Sequence, residues 1–191
     1  MPYRPDPSSG GNFIGIKPVA IKDIKNNSIE GVDMALDFIL QVEGSDYDQS
    51  LSLFGSFEWD SDQNIEKKGL LKRIYRVLDG LGEQGGVNVK GQWVDANDNL
   101  IEDIEEYFRK YVDTSKFPYL VYLYKEQNKN TKKVYTRAYP MLVPNTSKGK
   151  EELASYIKFM KRNNYLKEYT DDDGEETPQE STPHTKFKNQ F

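Results

Sequence analysis

The sequence predicts a mainly β domain with added helices, an α+β chain whose antiparallel strands carry the core. Three observations point there. Residues 32–42 (VDMALDFILQV) alternate apolar and polar side chains, the period of a half-buried strand. Residues 119–125 (YLVYLYK) and 133–143 (KVYTRAYPMLV) flank a polar loop, EQNKNTK, as the arms of a hairpin do. Between these strand regions the period changes: in residues 64–81, Ile65, Leu70, Leu71, Ile74, Val77, Leu78 and Leu81 fall near one helical stripe.

Taken in order, residues 13–24 (FIGIKPVAIKDI) read as a first strand, with Pro18 predicting an edge or a bulge. In the second strand Val32, Met34, Leu36, Phe38, Leu40 and Val42 share the inward face, with Asp33, Asp37 and Gln41 opposite. Residues 51–59 (LSLFGSFEW) form the third, Leu51, Leu53, Phe57 and Trp59 facing inward and Gly55 allowing a bend. The helix 64–81 follows, with Asp62 or Asn64 as its cap and Gly80 or Gly82 as its stop. A Gly-rich stretch leads to a second helix, 100–111, acidic at its start and basic at its end, as the helix dipole favours. A third helix, 150–165, is amphipathic, with Leu153, Ile157 and Met160 on one side. Strand, strand, strand, helix, strand, strand is the order of an OB-fold, a five-stranded Greek-key barrel with its helix between strands three and four. The second helix is then an insertion and the third a C-terminal addition.

The 191 residues suit one domain with extensions: a lead at 1–12, a binding domain at 13–169 and a disordered acidic tail at 170–191. The tail holds Asp171, Asp172, Asp173, Glu175, Glu176 and Glu180 against Lys186 and Lys188, which is four of the five net negative charges of the chain. The body is therefore nearly neutral, and overall acidity does not exclude an anionic ligand. The absence of cysteine removes disulfides and thiolate metal sites and fits a reducing compartment. No apolar run has the length of a membrane span, and no apolar signal core precedes residue 13, so a cytoplasmic protein without a membrane partner is expected.

The last hairpin is the most suggestive segment. Tyr122 and Tyr124 alternate with Val121 and Leu123; Tyr135, Arg137 and Tyr139 share a face opposite Val134 and Ala138. Lys125, Lys129, Lys132 and Lys133 edge the loop. An aromatic, cationic face over an apolar one suits single-stranded nucleic acid, since bases stack on rings and cations neutralise phosphates. On the first strand Lys17, with Lys22 and Lys25, is a second cationic candidate, whereas Lys67, Lys68, Lys72, Arg73 and Arg76 read as a solvated helix face. Trp93, in a polar Gly-flanked segment, is expected to be exposed and to stack; Trp59, by strand parity, is expected in the core.

An OB-type body, an acidic tail and a terminal Phe191 together resemble the bacteriophage single-stranded DNA-binding proteins. The resemblance is one of architecture over most of the chain. It implies sequence-nonspecific binding of single-stranded DNA in replication and recombination within an infected host cell. It also implies contact with a phage polymerase or helicase-primase through the tail, here Asp171, Asp172, Asp173, Glu175, Glu176 and Phe191. Lys186 and Lys188 depart from it, because such tails run acidic to the end. The sequence leaves room for a homodimer.

No enzyme, cofactor or metal is expected. The single histidine, His184, lies in the tail, and the glycines of 82–91 are not followed by the Lys-Ser/Thr of a phosphate loop. Two other readings remain open. One is a protein-interaction module, a phage regulator or replisome adaptor, without nucleic-acid binding. The other is a carboxylate-metal nuclease using Asp33 and Asp37.

Overall fold

The computed structural model describes residues 13–28 and 34–170. The lead, Val32, Asp33 and every proposed tail residue lie outside them. Among the described residues, three helices surround an open, mainly antiparallel six-stranded sheet. None of those helices is long and apolar enough to cross a membrane.

The sheet is built around β1 (Gly15–Asn26). Its first half, 15–19, pairs with β6 (Tyr119–Gln127) and its second half, 19–26, with β2 (Met34–Val42). Pro18 was expected at an edge or bulge, but β1 is central. The proline sits at the changeover between partners, where its carbonyl accepts the Glu43 N–H at 3.0 Å. The register slips instead between Ile21 and Asp23. In β2, Met34, Leu36, Phe38, Leu40 and Val42 are all buried, as one-sided burial requires of an alternating strand.

Beyond β2 lies β3 (Asp48–Gly55), and beyond β6 lies β7 (Val134–Ala138), giving the order β3-β2-β1-β6-β7. The anticipated closed barrel does not form: β3 and β7 approach each other but share no ladder. β3 stops at Gly55, whose φ of 135° suits glycine alone, and the Phe54 carbonyl is already taken by the Arg73 guanidinium at 2.9 Å. Pro140 splits the anticipated fifth strand, and its remainder, β8 (Val143–Pro144), returns to pair with β6.

Helix α1 (Gly69–Leu81) starts later than its periodicity suggests, because Asp60 closes a turn on the N–H groups of Asp62 and Asn64. Gly82, at φ 72°, ends it. The Gly-rich stretch forms a small hairpin of β4 (Gly86–Val87) and β5 (Trp93–Val94). α2 (Ile104–Phe108) is shorter than expected; Asp103 caps it, and a 3-10 turn, Arg109–Tyr111, carries the chain on. α3 (Ser147–Arg162) is capped by Thr146, whose hydroxyl accepts the Gly149 N–H at 3.1 Å.

Two apolar clusters result. The larger lies between one face of the sheet and α1, β4 and α2. The smaller packs α3 and Leu166 onto the outer face of β6 and the chain around Tyr139–Val143. Gly80 marks how closely α1 approaches that chain: a Cβ there would stand 2.0 Å from the Leu142 carbonyl oxygen. Helix propensity alone favours alanine at a helical glycine by about 1 kcal/mol. The backbone collision opposes it, and Gly80→Ala is expected to cost about 2–3 kcal/mol. Urea denaturation measures this, and an unchanged or higher midpoint would contradict the contact.

Candidate nucleic-acid interface

Hydrogen-bond register fixes which hairpin side chains meet. Tyr124 lies opposite Arg137, and Glu126 opposite Tyr135. Directly paired residues of an antiparallel ladder project to the same side. The outer face of the hairpin therefore carries Tyr122, Tyr124, Glu126, Tyr135 and Arg137, while Val121, Leu123 and Ala138 point to the core. Tyr122 and Tyr124 stack nearly parallel, 10° apart with centroids at 6.5 Å. The Arg137 guanidinium lies 5.7 Å from the Tyr135 ring centre, and its Nε donates to Glu126 at 3.2 Å. Tyr135 is 38% exposed.

The other expected residues distribute unevenly. Tyr139 is only 7% exposed and packs against Tyr156 at 6.0 Å, so it belongs to the core rather than to a stacking surface. Lys17 pairs with Val121 and Lys125 with Thr136, which puts both on the core-side parity, across the sheet from Arg137. Lys132 and Lys133 are exposed in the hairpin loop, Lys132 at φ 57°. Asn128 organises that loop by accepting the N–H groups of Asn130 and Thr131.

The tryptophans exchange their expected places. Trp93 is half-buried, edge-on to Phe108 at 5.6 Å, because the segment around it folds into β5 and packs on the core. Trp59 is 50% exposed, set against Phe57 and the glycine of the β4–β5 turn, Gly91. Its inward parity was counted through Gly55, where the strand ends and the alternation no longer holds.

Two residues of this face, Lys161 and Glu168, had not been anticipated. The Tyr122 hydroxyl donates to Glu168 at 2.5 Å and accepts from the Lys161 ammonium at 2.7 Å. Lys161 and Glu168 pair at 2.7 Å, and Lys161 also stands 5.0 Å from the Tyr122 ring centre. Burial, then Glu168, push the Tyr122 phenol above its ordinary value. The strand 119–127 gives no hint of this, since the partners arrive from α3 and the chain after it. That chain runs on across β6, where the Tyr169 N–H donates to the Lys125 carbonyl at 2.9 Å. Between β1, β6 and α3 an open groove of about 540 Å³ is floored by Ile16, Tyr122 and Ile157 and rimmed by Lys158, Lys161 and Arg162. Of the residues in the nuclease reading, Asp37 accepts from the Ser50 and Ser52 hydroxyls and from Asn27.

No protein-family model matches this sequence, and no curated protein is significantly similar to it. The face can thus be read only from its own chemistry. It offers aromatic rings at graded exposure, a guanidinium at the centre and lysines at the tip. Rings and cations of these kinds can stack planar heterocycles and pair with phosphates.

Proposed function

We propose that the protein binds single-stranded DNA without sequence preference, through the outer face of the β6–β7 hairpin. The observation that carries this is the placement of exposed Arg137 directly opposite half-buried Tyr124 and beside exposed Tyr135 on one face of the hairpin. Tyr124 and Tyr135 stack bases; Arg137, Lys132 and Lys133 take phosphates. The strand order, with α1 between the third long strand and β6, supports an OB-type reading in which the loop joining the last two strands contacts ligand. In that reading the acidic tail serves a phage replication protein, as the architectural resemblance implies.

Glu126 and Glu168 tune the face rather than abolish it. Each already neutralises one cation, so a phosphate displaces a carboxylate from Arg137 or Lys161 instead of meeting a bare charge. Because Lys and Arg neutralise phosphates and release their counterions, binding is salt-dependent.

Fluorescence anisotropy with labelled oligo-dT, at several salt concentrations, tests the proposal. The full chain is expected to bind at low salt, and a chain ending at Tyr169 to bind more tightly. Tyr135→Ala with Arg137→Ala is expected to weaken binding at least ~10-fold, since one stacked base is worth about 1–3 kcal/mol. No binding by either chain length at low salt would overturn the proposal in favour of a protein-interaction module.

A further inference from the structure

A second row of aromatic rings runs along α3, rooted in the core at Tyr139. Tyr139 touches Tyr156 of α3, Tyr156 lies 6.5 Å from Phe159, and Phe159 lies 6.4 Å from Tyr165. Exposure rises along the row: Tyr139 is buried, Phe159 is 53% exposed and Tyr165 is 70% exposed. From α1, the Arg76 guanidinium stands 4.9 Å over the Tyr156 ring. One turn before it, Arg73 reaches the exposed Phe54 at the end of β3.

Single aromatics on a surface need no explanation. A contiguous row with a guanidinium set over one of its rings does, and the backbone that carries its last ring is fixed. Asn164, at φ 56°, turns the chain after α3, and its N–H donates to the Lys161 carbonyl. The Tyr165 N–H donates to the Met160 carbonyl at 2.9 Å, and Leu166 is buried just beyond. These two bonds form a Schellman cap. The Tyr165 backbone is therefore fixed by a helix terminus, so binding has only the side chain left to order.

Charge selects the occupant. The chain is acidic, yet α1 carries three cations against one acid and α3 five against two. That net positive surface complements a phosphate backbone, which positively charged grooves track.

We infer that the nucleic-acid path extends from the hairpin across α3 onto α1, with Phe159 and Tyr165 stacking bases and Arg73 and Arg76 holding phosphates. This extension rests on reading the hairpin as a nucleic-acid face. It makes α3 part of the binding surface and not merely a cover over β6.

The test uses the full-length protein and an oligo-dT series from about 4 to about 16 nucleotides, the range of OB-type site sizes. Phe159→Ala with Tyr165→Ala is expected to bind the shortest oligonucleotides within about two-fold of wild type and the longest at least ~10-fold more weakly. Both rings are exposed, so this variant keeps the fold. Arg73→Gln with Arg76→Gln is expected to lower the salt slope on the longest oligonucleotide by about 1.4, two phosphate contacts' worth. If both variants match wild type at every length and salt, the extension is wrong and the hairpin proposal stands. If wild type binds no length, both fall. Should the aromatic variant lose a dimer in sedimentation while keeping its DNA affinity, the row is a contact between copies and the extension is overturned.

Discussion

Phe108→Ala is expected to destabilise the fold by about 3–5 kcal/mol, the range for removing a fully buried phenylalanine. The residue is almost inaccessible and sits at the middle of an aromatic cluster. Phe38 of β2, Trp93 of β5 and Tyr107 present their rings edge-on to it at 5.6, 5.6 and 5.3 Å, and Tyr111 lies tilted at 6.1 Å. Such pairs add about 0.5–1.5 kcal/mol each beyond buried area. The ring does more than fill space: it is where α2, the small hairpin and the main sheet are joined. Short α2, with five residues, has little helical stability of its own and depends on this anchor. Small domains hold only about 5–15 kcal/mol in total, so the variant should be close to unfolding. Urea denaturation followed by far-UV circular dichroism measures the loss, and Trp93 emission should shift to the red as its packing partner disappears. Phe108→Leu keeps most of the volume and should cost under half as much. A loss below about 1 kcal/mol for the alanine variant would mean the cluster repacks around the cavity.

How much of this was legible in the sequence follows from how far apart the interacting residues lie. The alternation of β2 was readable because burial on one side imprints period two on contiguous residues. Hairpin parity was readable for the same reason, and it placed Tyr122 and Tyr124 opposite Val121 and Leu123 correctly. Parity failed where the backbone stopped obeying it. Trp59 was assigned inward by counting through Gly55, and Tyr139 outward by extending β7 past Ala138, where the strand has ended. The chain's approach to Pro140 is a usual place for a strand to stop. What covers the hairpin left no local trace. Glu168 reaches Tyr122 over 46 positions, and Arg76 meets Tyr156 from another helix. Helical spacing did contain Tyr156 and Phe159, three positions apart and flanking the buried stripe of Leu153 and Ile157. Their exposure follows from where α3 docks, which the sequence leaves unstated.

Glu83→Gln is expected to remove about 2 kcal/mol of stability at neutral pH and to flatten the acid limb of the stability curve. Glu83 follows the Gly82 stop of α1, and its side chain is almost wholly buried. Burial alone would push this carboxyl up. Donors outweigh it: the Lys110 ammonium at 2.6 Å, the Gly85 N–H at 3.0 Å and the hydroxyls of Tyr111 at 2.7 Å and Tyr107 at 2.8 Å. Together they pull the carboxyl down from 4.5 to about 2. A depressed carboxylate contributes stability that is fully present above its unfolded value of 4.5 and is lost as pH falls through about 2. That shift corresponds to roughly 3 kcal/mol, reduced to about 2 because Lys110 is half exposed and its charge is screened. A glutamine at this position accepts fewer bonds and leaves Lys110 without a counter-charge. The wild type and variant should therefore differ most near pH 7 and converge near pH 2 in urea denaturation. Parallel curves across that window would show that the carboxylate is not the group linking α1 to α2. The tyrosines provide the complementary check. Burial, then Glu83, raise both phenols above their ordinary values, so Glu83→Gln should bring the Tyr107 ionisation back toward normal in an alkaline absorbance titration.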